Sequence, residues 1–430
     1  MLFNFTIGNY RSFSDRKTLS MEPAAISDFP GNIAQKSQYK FLSSAVIYGA
    51  NASGKSNLLR GMGTMRRIVV ESFDKRSVTE IPYDPFLLNS DNTNEPTFYE
   101  VVFLAENMKY RYGFEADKNT IKAEWLFETK IKTEKPLFLR VPEGIEVMPR
   151  FTEGKDLEEK TRDNALFLSV VDQFNGKIAS GIMKWFRSFN VISGLTHDNY
   201  RAITFAMLDS PDSNNILTNY FSQIDLGFDK IKIEKKEFNP EELPTDLPED
   251  VFKQLISDLE GKTMVNLRTI HKVFDNNRKI VKEVEFDTRR QESSGTNKII
   301  DLSGPIFKTL NEGGVLVIDE LDAKLHPLLT LSIVRLFQNQ ETNKEGAQLI
   351  FASHDTNILS ICKLRRDQIY FVEKNRFGAS ELYSLVEYNK EGKVRKDRSF
   401  EKDYINGRYG AIPYFGNVNA MLENDIKSKI

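Results

Sequence analysis

One octet constrains this chain more than any other stretch: Gly49-Ala50-Asn51-Ala52-Ser53-Gly54-Lys55-Ser56. It fits the pattern G-x-x-x-x-G-K-[ST], a glycine-rich turn whose backbone amides wrap phosphate oxygens. The flanks supply the context that the pattern needs. Ala45-Val46-Ile47-Tyr48 is a short apolar run suited to a buried strand, and after Asn57 apolar residues fall at 58, 62, 65 and 69, a helical spacing. Strand, turn and helix in that order commit this part of the chain to an α/β layer. Gly49 and the amides of Asn51, Ala52, Ser53, Gly54 and Asn57 would cradle the phosphates. Lys55 would neutralise the β/γ oxygens, and the Ser56 hydroxyl would hold Mg²⁺.

Bulk properties narrow the class. The 430 residues suffice for two or three structural units, and a formal charge of −2 leaves no global electrostatic footprint for nucleic acid. The single cysteine, Cys362, excludes an intramolecular disulfide and suits a reducing compartment. No apolar run approaches the roughly 20 residues of a membrane span, and Met1 to Ile7 alternates like a strand and lacks a basic leader. A cytoplasmic protein with no membrane partner is expected.

The chain divides by pattern. Residues 1–130 read as a lobe in which runs at 98–104, 110–114 and 121–127 form an antiparallel meander, with Glu106-Asn107 and Asp117-Lys118-Asn119 as turns. Residues 131–285 alternate charged stretches with apolar helical patches, including an acidic, proline-bearing connector over 237–248, and read as a mainly helical lid or interaction insertion. Residues 286–388 return to buried strand runs at 315–318, 349–352 and 369–372 separated by helical spacings, as in a parallel sheet. A tail over 389–430 contains the loop Gly407-Arg408-Tyr409-Gly410-Ala411-Ile412-Pro413.

The second lobe carries the chemistry that the phosphate loop lacks. Val315 to Ile318 ends in Asp319-Glu320, which places Asp319 to hold a Mg²⁺-bound water and Glu320 to polarise an attacking water as general base. Ser353-His354-Asp355 closes the next strand, where His354 would sense the γ-phosphate or orient the water. Glu292-Ser293-Ser294-Gly295-Thr296 precedes a helix with apolar residues at 299, 302, 306 and 310, and offers either an anion cap or an ordinary helix cap. Arg11, in Asn9-Tyr10-Arg11-Ser12-Phe13, either reaches the nucleotide or is a surface charge. His326 reads as structural or interfacial, because no His or Cys stands at ligand spacing.

Taken in order, these motifs resemble an ABC-type ATPase head of the SMC, RecF and OLD-like branch. Within it the chain looks closest to single-chain defence ATPases of the abortive-infection AbiL/RloA and PARIS AriA type. The residues that carry the resemblance are Asn9 to Phe13, Gly49 to Asn57, Glu292 to Thr296, Val315 to Pro327, Ser353 to Asp355 and Gly407 to Pro413. The resemblance implies an α/β P-loop NTPase fold with an N-terminal antiparallel meander and a mainly helical insertion. It makes Lys55 and Ser56 the Walker A ligands, Asp319 and Glu320 the Walker B pair, Asp322 part of the D-loop and His354 the switch histidine. Ser293 and Gly295 match two positions of the L-S-G-G-Q signature, while Glu292, Ser294 and Thr296 depart from it. The Q-loop is sought near Pro82 to Phe86, with no residue assigned. Further implications are ATP and Mg²⁺ as cofactors and a homodimer, or higher homo-oligomer, that sandwiches ATP. A separately encoded nuclease or Toprim-like effector is the expected partner. No D-x-D pair for two-metal nuclease chemistry follows His354, and Glu373 reads as a strand-end charge. A DNA-maintenance ATPase that clamps DNA is the alternative.

Overall fold

The computed structural model describes residues 1–72, 79–130, 133–196, 200–240, 249–259, 261–388, 394 and 398–413. From residue 241 onward the expected 237–248 connector lies outside the described residues, as does most of the 389–430 tail. The chain forms two compact units. One comprises Met1–Leu195, Thr309–Ala323 and Thr330–Ile430, and the other Thr196–Lys308 and Lys324–Leu329.

The first unit holds two large sheets and the two-stranded hairpin Ile33–Lys36 and Tyr39–Leu42. Among the described residues the larger has seven strands, all antiparallel, in the order Gly144–Val147, Thr133–Val141, Ile121–Lys130, Met108–Ala116, Thr97–Ala105, Leu2–Gly8 and Lys17–Ser20. The expected meander is its centre. The boundary expected at 130 falls inside this sheet, because Thr133–Val141 and Gly144–Val147 extend it by two further hairpin strands. Glu106 and Asn107 both take positive φ, the backbone that turns Thr97–Ala105 into Met108–Ala116. The inner face packs Phe103 on Trp185 at 4.1 Å between ring centroids, and Tyr112 on Phe186 at 5.8 Å. Trp185 and Phe186 lie on Lys177–Arg187, one of the helical patches expected in the insertion.

The smaller sheet is the α/β layer. Its order is Phe189–Ser193, Val315–Asp319, Gln348–Ala352, Ser44–Tyr48, Ile369–Lys374 and Ser380–Ser384, parallel except for the last strand. The runs 45–48, 315–318, 349–352 and 369–372 are apolar and buried, as strands covered on both faces must be. The helix Lys55–Glu71 buries Leu58, Met62, Met65 and Val69, the positions that the spacing picked out. It approaches the antiparallel sheet closely at Gly61, where a Cβ would stand 2.3 Å from the Ile7 Cδ1 atom.

The second unit contains a three-stranded antiparallel sheet, Lys230–Glu237, Thr263–Phe274 and Ile280–Asp287, together with the helices Arg201–Asp209 and Pro211–Gln223. Residues 131–285 therefore carry strands as well as helices, since the period-2 runs at 230–237 and 263–274 pair with one another instead of coiling. Among the described residues no helix is long and apolar enough to cross a membrane.

Candidate functional site

The parallel sheet brings the motif strands out level on one edge. Ile318 lies opposite Phe351 and Ala352 opposite Ile47, so the histidine strand sits between the acidic strand and the P-loop strand. The amide of Ser353 donates to the Ile47 carbonyl at 3.2 Å and that of Leu321 to the Ala352 carbonyl at 3.2 Å, which ties the three strand ends together. The carboxyl ends of parallel strands are where α/β sheets bind ligands.

The loop from Gly49 to Gly54 wraps the start of its helix. Gly54 takes φ +116°, and a Cβ there would meet Ser380 Oγ at 2.2 Å. A Cβ on Gly49 would meet the Val372 carbonyl at 2.3 Å. Both glycines are therefore demanded by close packing, and Gly54 by its backbone conformation as well. Ser380 Oγ donates to the Ser53 carbonyl at 2.6 Å, and Asn57 Nδ2 donates to Ser12 Oγ at 2.9 Å. Ser53 Oγ is buried without a hydrogen-bond partner. Ser56 is half-buried at the first turn of the helix.

Lys55 is buried, 6% exposed, and its Nζ donates to the carbonyls of Gly49 at 2.7 Å and Ala50 at 3.2 Å. Burial lowers its pKa, and the facing charges of Asp319, Glu320 and Asp322 oppose that shift. The fold thus gathers one cation and three carboxylates from segments far apart in sequence. Asp319 Oδ1 and Asp322 Oδ1 are both buried without a hydrogen-bond partner, while Asp322 Oδ2 accepts from the His354 amide at 3.3 Å. Buried carboxylate oxygens left unsatisfied are costly unless a cation or donor completes them. That is the donor chemistry a Mg²⁺ ion takes: Ser56 and Asp319 fit it, with phosphate oxygens and water supplying the rest. Among the described residues no group of three or more His, Cys, Asp or Glu could hold a metal by itself.

Glu320 sits at the strand end with φ +55°, half-buried, so that its backbone turns sharply out of the sheet. His354 is exposed, and its neighbour Asp355 accepts through its carbonyl from the Tyr48 hydroxyl at 2.8 Å. Arg11 is paired with Asp84 at 2.8 Å, and its amide donates to the Asp84 carbonyl at 2.7 Å. The Pro82 to Phe86 stretch is thereby fixed to the Asn9-Tyr10-Arg11 turn, since Asn9 Oδ1 also accepts from the Phe86 amide at 3.0 Å.

In the second unit, Ser293 caps the helix Ser294–Glu312: its Oγ accepts from the Thr296 amide at 3.0 Å. Gly295 follows in the first turn, where a Cβ would stand 2.9 Å from the Lys324 carbonyl. Glu292, which departs from the signature, is held by Thr269 Oγ1 at 2.5 Å and His271 Nε2 at 2.9 Å. His326 is exposed, with Nδ1 accepting from the Leu328 amide at 3.2 Å.

Residues 44–360, well over half of the chain, match the family described as "AAA domain, putative AbiEii toxin, Type IV TA system". The chain belongs to this AAA-domain family. No curated protein matches it. Two solved structures of the recombination mediator protein RecF in the RecFOR pathway, one titled RecF-ATP and one RecF-ATPrS, are similar over 89% of this AAA-domain chain and 99% and 98% of their own. At 12% identity and a TM-score of 0.33 that likeness is too loose to carry a function.

Several residues of the AAA-domain site escape a reading of motifs. Ser12 and Ser380 brace the phosphate loop, and Gly194 donates its amide to the Asp319 carbonyl at 2.6 Å. Glu373 accepts from the Ala411 amide at 2.9 Å, so this strand-end charge anchors the Gly407 to Pro413 turn. Glycine beside a strand end was the available signal at 194, and Ser12 lies within the Asn9 to Phe13 motif; Ser380 offered none.

Proposed function

We propose that this AAA-domain chain is a Mg²⁺-dependent ATPase that works as an ABC-type head, two copies sandwiching ATP. In that assembly it serves as the sensor or scaffold of an anti-phage defence system with a separate effector. The observation that carries the ATPase reading is the charge cluster at the strand ends. Buried Lys55 faces Asp319, Glu320 and Asp322, and two of those carboxylates hold buried oxygens without a partner.

The roles follow from position. The amides from Asn51 to Asn57, with Gly49 and Gly54 allowing close approach, cradle the phosphates. Lys55 leaves the Gly49 and Ala50 carbonyls to reach the β/γ oxygens, an exchange of neutral acceptors for charged ones. Ser56 and Asp319 would hold Mg²⁺, which when bound would neutralise charge on the transferring phosphoryl group. Glu320 takes the proton of the attacking water, and His354 orients that water from the neighbouring strand end. Arg11 must first leave Asp84 to reach the nucleotide.

Ser293 and Gly295 act in trans on the partner copy's γ-phosphate, and Asp322 contributes from the D-loop. The Ser293 hydroxyl accepts from the Thr296 amide and shares a second hydrogen bond with the Thr296 hydroxyl at 2.9 Å; breaking that second bond would turn its proton to the phosphate. The family's description names a toxin of a toxin–antitoxin system, which supports a two-component defence role with a separately encoded partner.

Phosphate release from Mg·ATP by the purified chain, set against Lys55→Ala, tests the ATPase reading. Turnover that needs Mg²⁺ and vanishes in the variant is expected; equal turnover in both would refute it.

A further inference from the structure

Glu292 stands one residue before Ser293, and its side chain is tied to the three-stranded sheet of the second unit. Thr269 Oγ1 donates to Glu292 Oε1 at 2.5 Å, and His271 Nε2 lies 2.9 Å from the same oxygen. An ionised carboxylate only accepts, so the Nε2 hydrogen points at it. Thr269 and His271 are two residues apart on the strand Thr263–Phe274 and share one of its faces. That strand is the centre of its sheet. The imidazole is itself fixed, with its ring centroid 4.3 Å from that of Phe286 and 6.4 Å from that of Phe228.

The helix that follows does not need these bonds. Ser293 already caps Ser294–Glu312, and buried Asn297 closes its first turn. Asn297 Nδ2 donates to the Thr288 carbonyl at 2.6 Å and the Ser293 carbonyl at 3.1 Å, while Arg201 donates to its Oδ1 at 3.1 Å. The Glu292 side chain is only 9% exposed, and burying a carboxylate is costly unless it is paired. What its two bonds add is a fixed place for the turn against the sheet. Ser293, next in the chain, is exposed, and where it stands is set by how Glu292 is held.

We infer that Thr269 and His271, through Glu292, are positioning residues for Ser293. This rests on the reading above in which Ser293 acts on the partner copy's γ-phosphate. Without the pair the turn is free to shift, and aligning Ser293 costs order each time two copies close. The nucleotide itself is held by the other copy's phosphate loop, so the loss falls on kcat and not on ATP affinity.

The test uses the full chain. His271→Ala should lower kcat about tenfold, the scale of one hydrogen bond to a charged group, with affinity for Mg·ATP within about twofold. It should also speed hydrogen exchange in nucleotide-free peptides covering Glu292 to Asn297. Glu292→Ala should do the same. Both bonds end on Oε1, which a glutamine carbonyl can replace, so Glu292→Gln should recover most of both losses. Mixed in equal amounts with Lys55→Ala, His271→Ala should turn over at about a quarter of the wild-type rate, because the Lys55→Ala copy supplies an intact Ser293. A defect in the copy that binds the nucleotide would leave the mixture no faster than His271→Ala alone. That result overturns the inference, and so does unchanged exchange at Glu292 to Asn297 or an unchanged kcat. If Ser293→Asp mixed with Lys55→Ala recovers no turnover, it is the trans reading that fails, and the exchange comparison alone decides whether the pair positions Ser293.

Discussion

Gly194 lies so close to Glu320 that a methyl group on it would stand 2.1 Å from the Glu320 carbonyl oxygen. The same glycine donates its amide to the Asp319 carbonyl at 2.6 Å, and Glu320 takes a left-handed φ of +55°. The acid pair is therefore set by backbone contact with the end of the adjacent strand Phe189–Ser193 and not by its own strand alone. Strain held at such a point keeps a side chain in one direction.

Gly194→Ala should act on this junction. Overpacking costs about 1–3 kcal/mol, so the thermal midpoint falls by several degrees. ATP turnover should fall more than ATP affinity, because Glu320 is displaced while the phosphate loop is untouched. Calorimetric melting and steady-state kinetics on one preparation measure both. A wild-type kcat would show that the contact does not set the base.

Lys55→Met tests the electrostatics of the buried cation. Burial lowers the native Lys55 pKa below the usual 10.5, so the folded chain releases that proton first as pH rises. The unfolded chain then binds more protons, and stability climbs with pH between the depressed native value and 10.5. Urea midpoints against pH should show this extra climb in the wild type and not in Lys55→Met. The variant should match or exceed wild-type stability below that window while losing ATP affinity.

Cys362 gives the opposite sign. Burial pushes its thiol from 9.0 up to about 12, so the unfolded chain ionises first and stability falls as pH rises through that range. Near neutral pH the native thiol should react with iodoacetamide about a thousandfold more slowly than the unfolded chain, as a three-unit pKa difference implies. Mass spectrometry of quenched samples gives both rates. Equal rates would mean that the thiol is not held as described.

Trans completion of the site is open to complementation. Ser293→Asp keeps a good helix cap but sets a carboxylate against the phosphate, and Lys55→Ala removes nucleotide binding. Each variant alone should be inactive. Mixed in equal amounts, about half of the dimers are mixed and each has one complete site, so turnover should recover to about a quarter of wild type. No recovery in the mixture would place Ser293 outside the partner's site.

What the sequence made legible was whatever local spacing encodes. The phosphate loop, the Asp319-Glu320 strand end and the apolar face of Lys55–Glu71 all declare themselves within a few residues. The site's supports do not. Gly194 meets Glu320 and Ser380 meets Ser53 across long stretches of chain, and no periodicity records such pairs. The strand Thr133–Val141 was hidden for a different reason: its outer half, Thr133-Glu134-Lys135-Pro136, is polar and carries a proline, which reads as loop until Ile121–Lys130 pairs with it. The signature stretch stayed ambiguous because a serine that caps a helix and one that caps a phosphate look alike in sequence.

The most direct measurement is ATP binding and hydrolysis by Glu320→Gln. The amide keeps the shape of the carboxylate but cannot take a proton. Affinity for Mg·ATP should stay within a few-fold of wild type, and turnover should fall by about 10²–10⁴, the contribution of a positioned general base. Turnover at the wild-type level would contradict the assignment of Glu320, and with it the account of how these strand ends work.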